Sequence, residues 1–188
     1  MDWSSLEGQC MNCQRCGLCE KRQHVVFGGG NPQAEIMLIG EGPGQFEDEQ
    51  GIPFVGPAGQ LLDDMLEIIH LDRSKLYITN IVKCRPPGNR DPLATEQAAC
   101  MDYLRQQTAL IRPKIIVCLG RIAATALIRE DFRITKEHGE WFQKGGIAMT
   151  AIYHPAALLR DQSKRPETFL DLKSIQQKVR ELCSHTEV

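Results

Sequence analysis

Between Glu35 and Ile69 the chain passes from a short apolar stretch, Ile36-Met-Leu-Ile-Gly40, through a long loop into Leu61-Leu62-Asp-Asp-Met65-Leu66-Glu-Ile68-Ile69. The first piece reads as a buried strand, and the last as a helix with its apolar residues on one face. The loop between them, Gly40 to Gly59, holds six glycines, three prolines and four carboxylates, together with Phe54. A connector needs only a few residues. A glycine-rich loop of this length at the carboxyl end of a buried strand points instead to an open α/β sheet, whose ligands bind at that end of its strands. It is not a phosphate cradle: Gly40-x-Gly42-x-Gly44 lacks the third glycine of the dinucleotide pattern, and no Gly-Lys-Ser/Thr follows. Glu41, Glu47, Asp48 and Glu49 would repel a polyphosphate. A neutral, flat ligand held close to backbone, with Phe54 stacked on it, suits the loop better.

The rest of the chain repeats the alternation. Leu76–Val82, Ile115–Leu119 and Ile147–Tyr153 read as further core strands; Thr95–Leu110, Ile122–Ile128 and residues 166–183 read as helices. Trp141-Phe142 and the Lys144-Gly-Gly146 turn suggest a hairpin leading into the last strand. Val25–Pro32 is a short extended piece ending in a turn, and the last residues are expected to fray. The order predicts an α/β fold, a three-layer α/β/α sandwich with a central four-stranded, mainly parallel sheet, in a single domain over residues 1–188. Three segments then follow strands at one edge of the sheet: Gly40–Gly59, Asn80–Arg90 and His154–Arg160. Asparagine is depleted in strands, and Asn80 near a strand end can read the hydrogen-bond pattern of a ligand edge or simply satisfy a turn. Lys83, Arg85 and Arg90 lie in a proline-rich basic loop, placed to meet phosphates or to remain a solvated surface.

A formal net charge of −2 leaves no global field to draw the chain to a polyanion, so any such partner must meet a local basic surface. No apolar run approaches membrane length, and residues 1–20 lack a signal-peptide core, so a cytoplasmic protein is expected. Eight cysteines in such a chain argue for metal or redox chemistry rather than a disulfide scaffold. Cys10, Cys13, Cys16 and Cys19 recur at every third position inside a hydrophilic segment, residues 1–23, that is expected to need a metal to order it. Two arrangements are open: four local thiolates around one ion or cluster, or a Cys-x-x-Cys half-site completed by Cys84 and Cys100. Cys118 and Cys183 fit small buried hydrophobes.

Taken together, Gly40-Glu-Gly-Pro-Gly44, Gly51-Ile-Pro-Phe-Val-Gly-Pro-Ala-Gly59, Ile78-Thr-Asn-Ile-Val-Lys-Cys-Arg-Pro-Pro87 and His154-Pro-Ala-Ala-Leu-Leu-Arg160 resemble the iron–sulfur-containing family 4 of uracil-DNA glycosylases, over nearly the whole chain. The resemblance implies a monofunctional base-excision repair enzyme that hydrolyses the N-glycosidic bond of uracil in single- or double-stranded DNA, and a monomer without membrane attachment. It implies a [4Fe–4S] cluster on Cys13, Cys16, Cys84 and Cys100, tying the N-terminal segment in and leaving Cys10 and Cys19 spare; zinc is the rival from thiolate chemistry alone. It places the pocket at Glu41, Gly42, Glu47, Phe54, Asn80 and His154. Phe54 would stack on uracil, Asn80 would read its O4 and N3–H edge, and His154 would donate to O2. Glu41 would hold water, because Gly42 stands where several related families carry an aspartate. Glu47 or loop backbone would exclude thymine, since Gly44 replaces a tyrosine found in related enzymes. Leu158 would wedge into the DNA stack, and Arg160, Lys83, Arg85 and Arg90 would hold phosphates. Rival readings are a glycosylase of broader deaminated-base scope, a non-catalytic uracil-DNA-binding iron–sulfur protein, and a nucleotide-binding redox sensor.

Overall fold

The computed structural model describes all 188 residues. Its strands are β1 (Gly29–Gly30), β2 (Ile36–Gly40), β3 (Tyr77–Asn80), β4 (Ile115–Leu119), β5 (Phe142–Lys144) and β6 (Ile147–Ile152). Its helices are α1 (Trp3–Met11), α2 (Gln45–Gln50), α3 (Pro57–Ile68), α4 (Ala94–Ile111), α5 (Arg121–Leu127), α6 (Ile134–Glu137), α7 (Pro155–Arg160) and α8 (Arg165–Leu182). The sheet order is β1-β3-β2-β4-β6-β5. The four expected strands are its parallel centre; β1 and β5 add an antiparallel strand at each edge, which makes six strands rather than four. Every residue of β2 and β4 is buried, as befits parallel strands covered on both faces.

Strand alternation divides the core in two. Met37 and Ile39 face one layer, with Leu6, Tyr103 and Leu104 from α1 and α4. Ile36 and Leu38 face the other, with Leu62, Leu66, Leu158, Leu172 and Ile175 from α3, α7 and α8. The parallel register sets Gly40 beside Asn80, so the glycine-rich loop and the end of β3 leave the sheet as neighbours. Ile81 N–H to Gly40 O (2.9 Å) and Val82 N–H to Glu41 O (3.1 Å) continue that pairing past the strand ends. On the other side Gly120 N–H donates to Ile152 O (2.8 Å), which sets the start of α5 beside His154.

Both termini are better ordered than their composition predicts. Residues 1–23 do not rely on a metal alone for structure: α1 is capped by Asp2, whose carboxylate accepts from Ser5 N–H at 2.8 Å, and it buries Leu6 and Cys10 completely. Trp3 packs edge-on against Phe27 and Tyr77 at 5.3 and 5.2 Å. Trp3, Leu6 and Cys10 stand at helical spacing, a narrow apolar stripe in an otherwise polar segment. The C-terminal tail is pinned rather than frayed. Glu35, at the foot of β2, accepts from Ser184 N–H, His185 N–H and the hydroxyls of Ser184 and Thr186, at 2.8 to 3.0 Å. These bonds and Lys114 hold its carboxyl well below the usual range although burial opposes them.

Candidate active site

The strand ends open into a cleft of about 610 Å³, walled by the loop after β2, the segment after β3, the start of α5 and the start of α7. Glu41, Gly42, Glu47, Arg90, His154 and Arg160 line it, so the sequence expectation brings six of its residues to one cavity. Asn80 and Phe54 are not on that wall. Both are buried, 1% and 6% exposed; Phe54 meets the cleft through His154, whose ring stacks on it with centroids 5.5 Å apart and planes 30° apart. Gly40 is the hinge of this arrangement. A Cβ built there would stand 2.6 Å from Asn80 Oδ1 and 2.7 Å from Phe54 Cζ, so amide and ring converge on one bare backbone position.

Asn80 Oδ1 is a buried acceptor with no hydrogen-bond partner in the protein. Buried polar atoms are nearly always satisfied, and leaving one unpaired costs about 1–3 kcal/mol. Its backbone carbonyl, by contrast, is held by the Lys83 ammonium at 2.8 Å. The residue is therefore fixed from behind, with an unused acceptor beside Phe54.

His154 caps α7, and its Nδ1 accepts from Ala156 N–H at 3.0 Å. That bond leaves Nε2 to carry the single proton of a neutral ring. Burial, with Arg160 adding to it, lowers the imidazole pKa to about 4, so the ring is neutral at physiological pH and Nε2–H is a donor. Gly120, with φ of +92°, lets His154 approach: a Cβ there would lie 2.9 Å from His154 Cβ.

Glu41 is pushed up to about 7, first by burial and then by the neighbouring Asp91 charge, with Arg121 and Arg160 opposing. Asp91 itself pairs with Arg121 at 2.9 Å. Gly42 admits no side chain as the backbone stands, because a Cβ would come within 2.7 Å of Val82 Cγ2. Glu47 is not a free obstacle: one carboxylate oxygen accepts from Gly44 N–H and the other from Val55 and Gly56 N–H, all at 3.0 Å. Its task is to staple the start of α2 to the approach to α3.

Two expected DNA contacts fail. Lys83 is 1% exposed, and its amine donates to Thr79 Oγ1 at 2.6 Å and Asn80 O at 2.8 Å, out of reach of any phosphate. Leu158 is 1% exposed in the core with Leu62 and Leu172, whereas its neighbour Leu159 is 41% exposed. Arg90 reaches the cleft but spends two donors on Glu96, at 3.0 and 2.7 Å. Arg85 donates to Asn89 at 2.7 Å, and Arg160 is exposed on the cleft wall. The sequence reading missed Asp91, Arg121 and Tyr153, which share the cleft. The available signal was Gly120, a glycine at the carboxyl end of β4 as Gly40 is at the end of β2.

Residues 27–176 match the model of the uracil DNA glycosylase superfamily. The chain belongs to that superfamily. Among curated relatives, it is 44% identical over 185 residues to the type-4 uracil-DNA glycosylase of Archaeoglobus fulgidus, covering 93% of this chain and 90% of that protein. It is 43% identical to the type-4 enzyme of Sulfurisphaera tokodaii, covering 92% of this chain and 82% of that one. It is also 43% identical to the type-4 enzyme of Thermotoga maritima, covering 80% of each. The resemblance carried by the four segments is thus the right one, and the superfamily's α/β fold is the one observed.

A second cavity lies behind the sheet end, lined by Cys10, Cys13, Cys16, Cys19, Cys84 and Cys100 with Arg15, Arg22, Lys83 and Tyr103. No three Cys, His, Asp or Glu side chains are arranged there to hold one metal ion. The surroundings are cationic: Arg22 Nη1 lies 3.6 Å from Cys84 Sγ and donates to Cys13 O at 2.6 Å. Lys83 is buried beside Cys10, Cys84 and Cys100 and hydrogen-bonds no carboxylate. A buried ammonium calls for a counter-charge; its ionisable neighbours are Cys10, Cys84 and Cys100, whose thiols burial pushes up. No helix of the chain is long and apolar enough to cross a membrane.

Proposed function

We propose that the chain excises uracil from DNA by hydrolysing its N-glycosidic bond, leaving an abasic site for base-excision repair. The observation that carries this reading is the unpartnered Asn80 Oδ1 beside Phe54, whose ring in turn stacks on His154. A flipped uracil supplies the donor that this acceptor lacks, at N3–H, while the amide nitrogen donates to O4. Cytosine presents the opposite polarity at both atoms and would leave two buried groups mismatched, which supports discrimination of about 10⁴ or more.

Breaking the bond between N1 and C1′ leaves an oxocarbenium-like sugar and a uracil anion with charge on O2. The His154 Nε2–H is the donor proposed for that oxygen. Water approaching C1′ would be held by Glu41, since Gly42 offers no carboxylate. Leu159, exposed near the end of α7, would take the wedge role assigned in the sequence to Leu158, and Arg160 and Arg85 would take phosphates. The backbone of the loop that Glu47 staples would stand against the thymine methyl. The enzyme would act as a cytoplasmic monomer.

What supports a [4Fe–4S] cluster is the lining of the cysteine cavity: six cysteines share one space, with Arg15, Arg22 and Lys83 around them. Cys13, Cys16, Cys84 and Cys100 would hold it, joining the N-terminal segment to the end of β3. Bound there, it supplies structural cross-linking rather than bond chemistry. Cys10 and Cys19 line the same cavity, so the assignment is tested by substitution. The Cys10→Ser/Cys19→Ser variant should keep the iron and sulfide content of the wild type and its visible absorbance, while Cys13→Ser loses them; loss in the double variant overturns the ligand set.

Two activity measurements follow. A uracil-containing oligonucleotide, incubated with the chain and then cleaved by alkali, should be cut at the uracil, and an identical strand with cytosine or thymine should not. The rate of release should fall as pH drops through about 7, where Glu41 takes up a proton. Glu41→Gln should be slower above pH 7 and should lack that inflection; an unchanged inflection removes Glu41 from the water site.

A further inference from the structure

Phe54 has a φ of +53°, a left-handed backbone that a bulky residue rarely adopts without being held there. The hold is visible on both sides. Arg73, in the turn after α3, donates through Nη1 to Pro53 O at 2.8 Å and through Nη2 to Phe54 O. Its Nε donates to Asp63 Oδ1 on α3 at 2.7 Å, which orients the guanidinium fork. Behind the same carbonyl stands Gly59, where a Cβ would lie 1.9 Å from Phe54 O. Beyond Phe54, the next two N–H groups are fixed by Glu47 at 3.0 Å.

We infer that Arg73, oriented by Asp63, is a positioning residue for uracil excision: it clamps the Pro53 and Phe54 carbonyls so that the Phe54 ring stays against Gly40, beside the base-reading amide of Asn80. The inference rests on the reading that Phe54 stacks on the base. Without the clamp the backbone relaxes toward negative φ and swings the ring off Gly40, Asn80 and His154, and a flipped pyrimidine loses its platform. Arg73 does not line the cleft itself, so its effect is expected to pass through Phe54.

The test is a double-mutant cycle on single-turnover uracil release, with thermal midpoints measured alongside. Phe54→Ala should slow release, and Arg73→Ala should slow it roughly tenfold to a hundredfold, the loss expected for hydrogen bonds to a charged donor. The double variant should be no slower than Phe54→Ala. Guanidinium ion, at ionic strength matched with sodium chloride, should restore part of the rate of Arg73→Ala and none of the double variant's. Arg73→Lys keeps a charge beside Asp63 but cannot span two carbonyls, so it should be slow while its thermal midpoint stays near wild type. Additive losses, or wild-type rates in both Arg73 variants, overturn the inference alone. A wild-type rate for Phe54→Ala overturns the stacking reading and the inference with it.

Discussion

An Asn80→Ala variant is expected to release uracil about 10³-fold more slowly than wild type, or worse, with no loss of stability. The two halves of that expectation have one cause. In the free protein Asn80 Oδ1 is buried without a partner, so truncation removes a group that the fold leaves unsatisfied, and the thermal midpoint should hold or rise. In the complex that group is matched by uracil N3–H, and its removal leaves the base's own donor and acceptor unpaired in a dry site. A structural asparagine would behave in the opposite way, losing stability and activity together. Thermal unfolding and single-turnover kinetics on the same preparation separate the two.

His154→Ala is the second large effect, a loss of about 10²–10³ in the rate of bond cleavage, typical of removing one preorganised donor to a developing anion. The pH dependence identifies the form of the ring. Its pKa is lowered from the ordinary histidine value to about 4, so it is neutral above that value and gains a proton only below it. Protonation of His154 should therefore leave no inflection in the rate between pH 5 and 8, and the inflection near 7 should belong to Glu41. A step near 6.5 that disappears in His154→Ala would show that the ring works as a cation. Because Nδ1 is occupied by Ala156 N–H, a glutamine at 154 keeps a donor without the same anchoring and should recover only part of the rate.

The parallel centre of the sheet was legible because buried parallel strands are continuous apolar runs: Ile36–Gly40 and Ile115–Leu119 have no competing helical reading. Of the edge strands, the β5–β6 hairpin was legible from its Lys144-Gly-Gly146 turn, whereas Gly29–Gly30 is too short to carry an alternating pattern. Asn80 and Phe54 stood out as a polar amide in a strand and a large ring in a glycine-rich loop, whereas His154 entered through the resemblance carried by its motif. Lys83 and Leu158 were misread for a different reason. Charge suggests exposure, but the stem of Lys83 continues the buried strand end, and the Asn80 carbonyl accepts its amine. In a six-residue helix such as α7, which of two adjacent leucines turns inward is decided by packing against α3 and α8, not by sequence period. The clamp on Phe54 left no local trace, because Arg73 acts 19 residues away.

The central claim is that an otherwise idle buried amide reads the uracil edge. It is tested most directly by a crystal structure of the chain with abasic DNA and free uracil. The account predicts Asn80 Oδ1 within hydrogen-bond distance of uracil N3, the ring of the base over Phe54, and His154 Nε2 at O2. Uracil bound elsewhere in the cleft, with Asn80 Oδ1 still unpartnered, would contradict it.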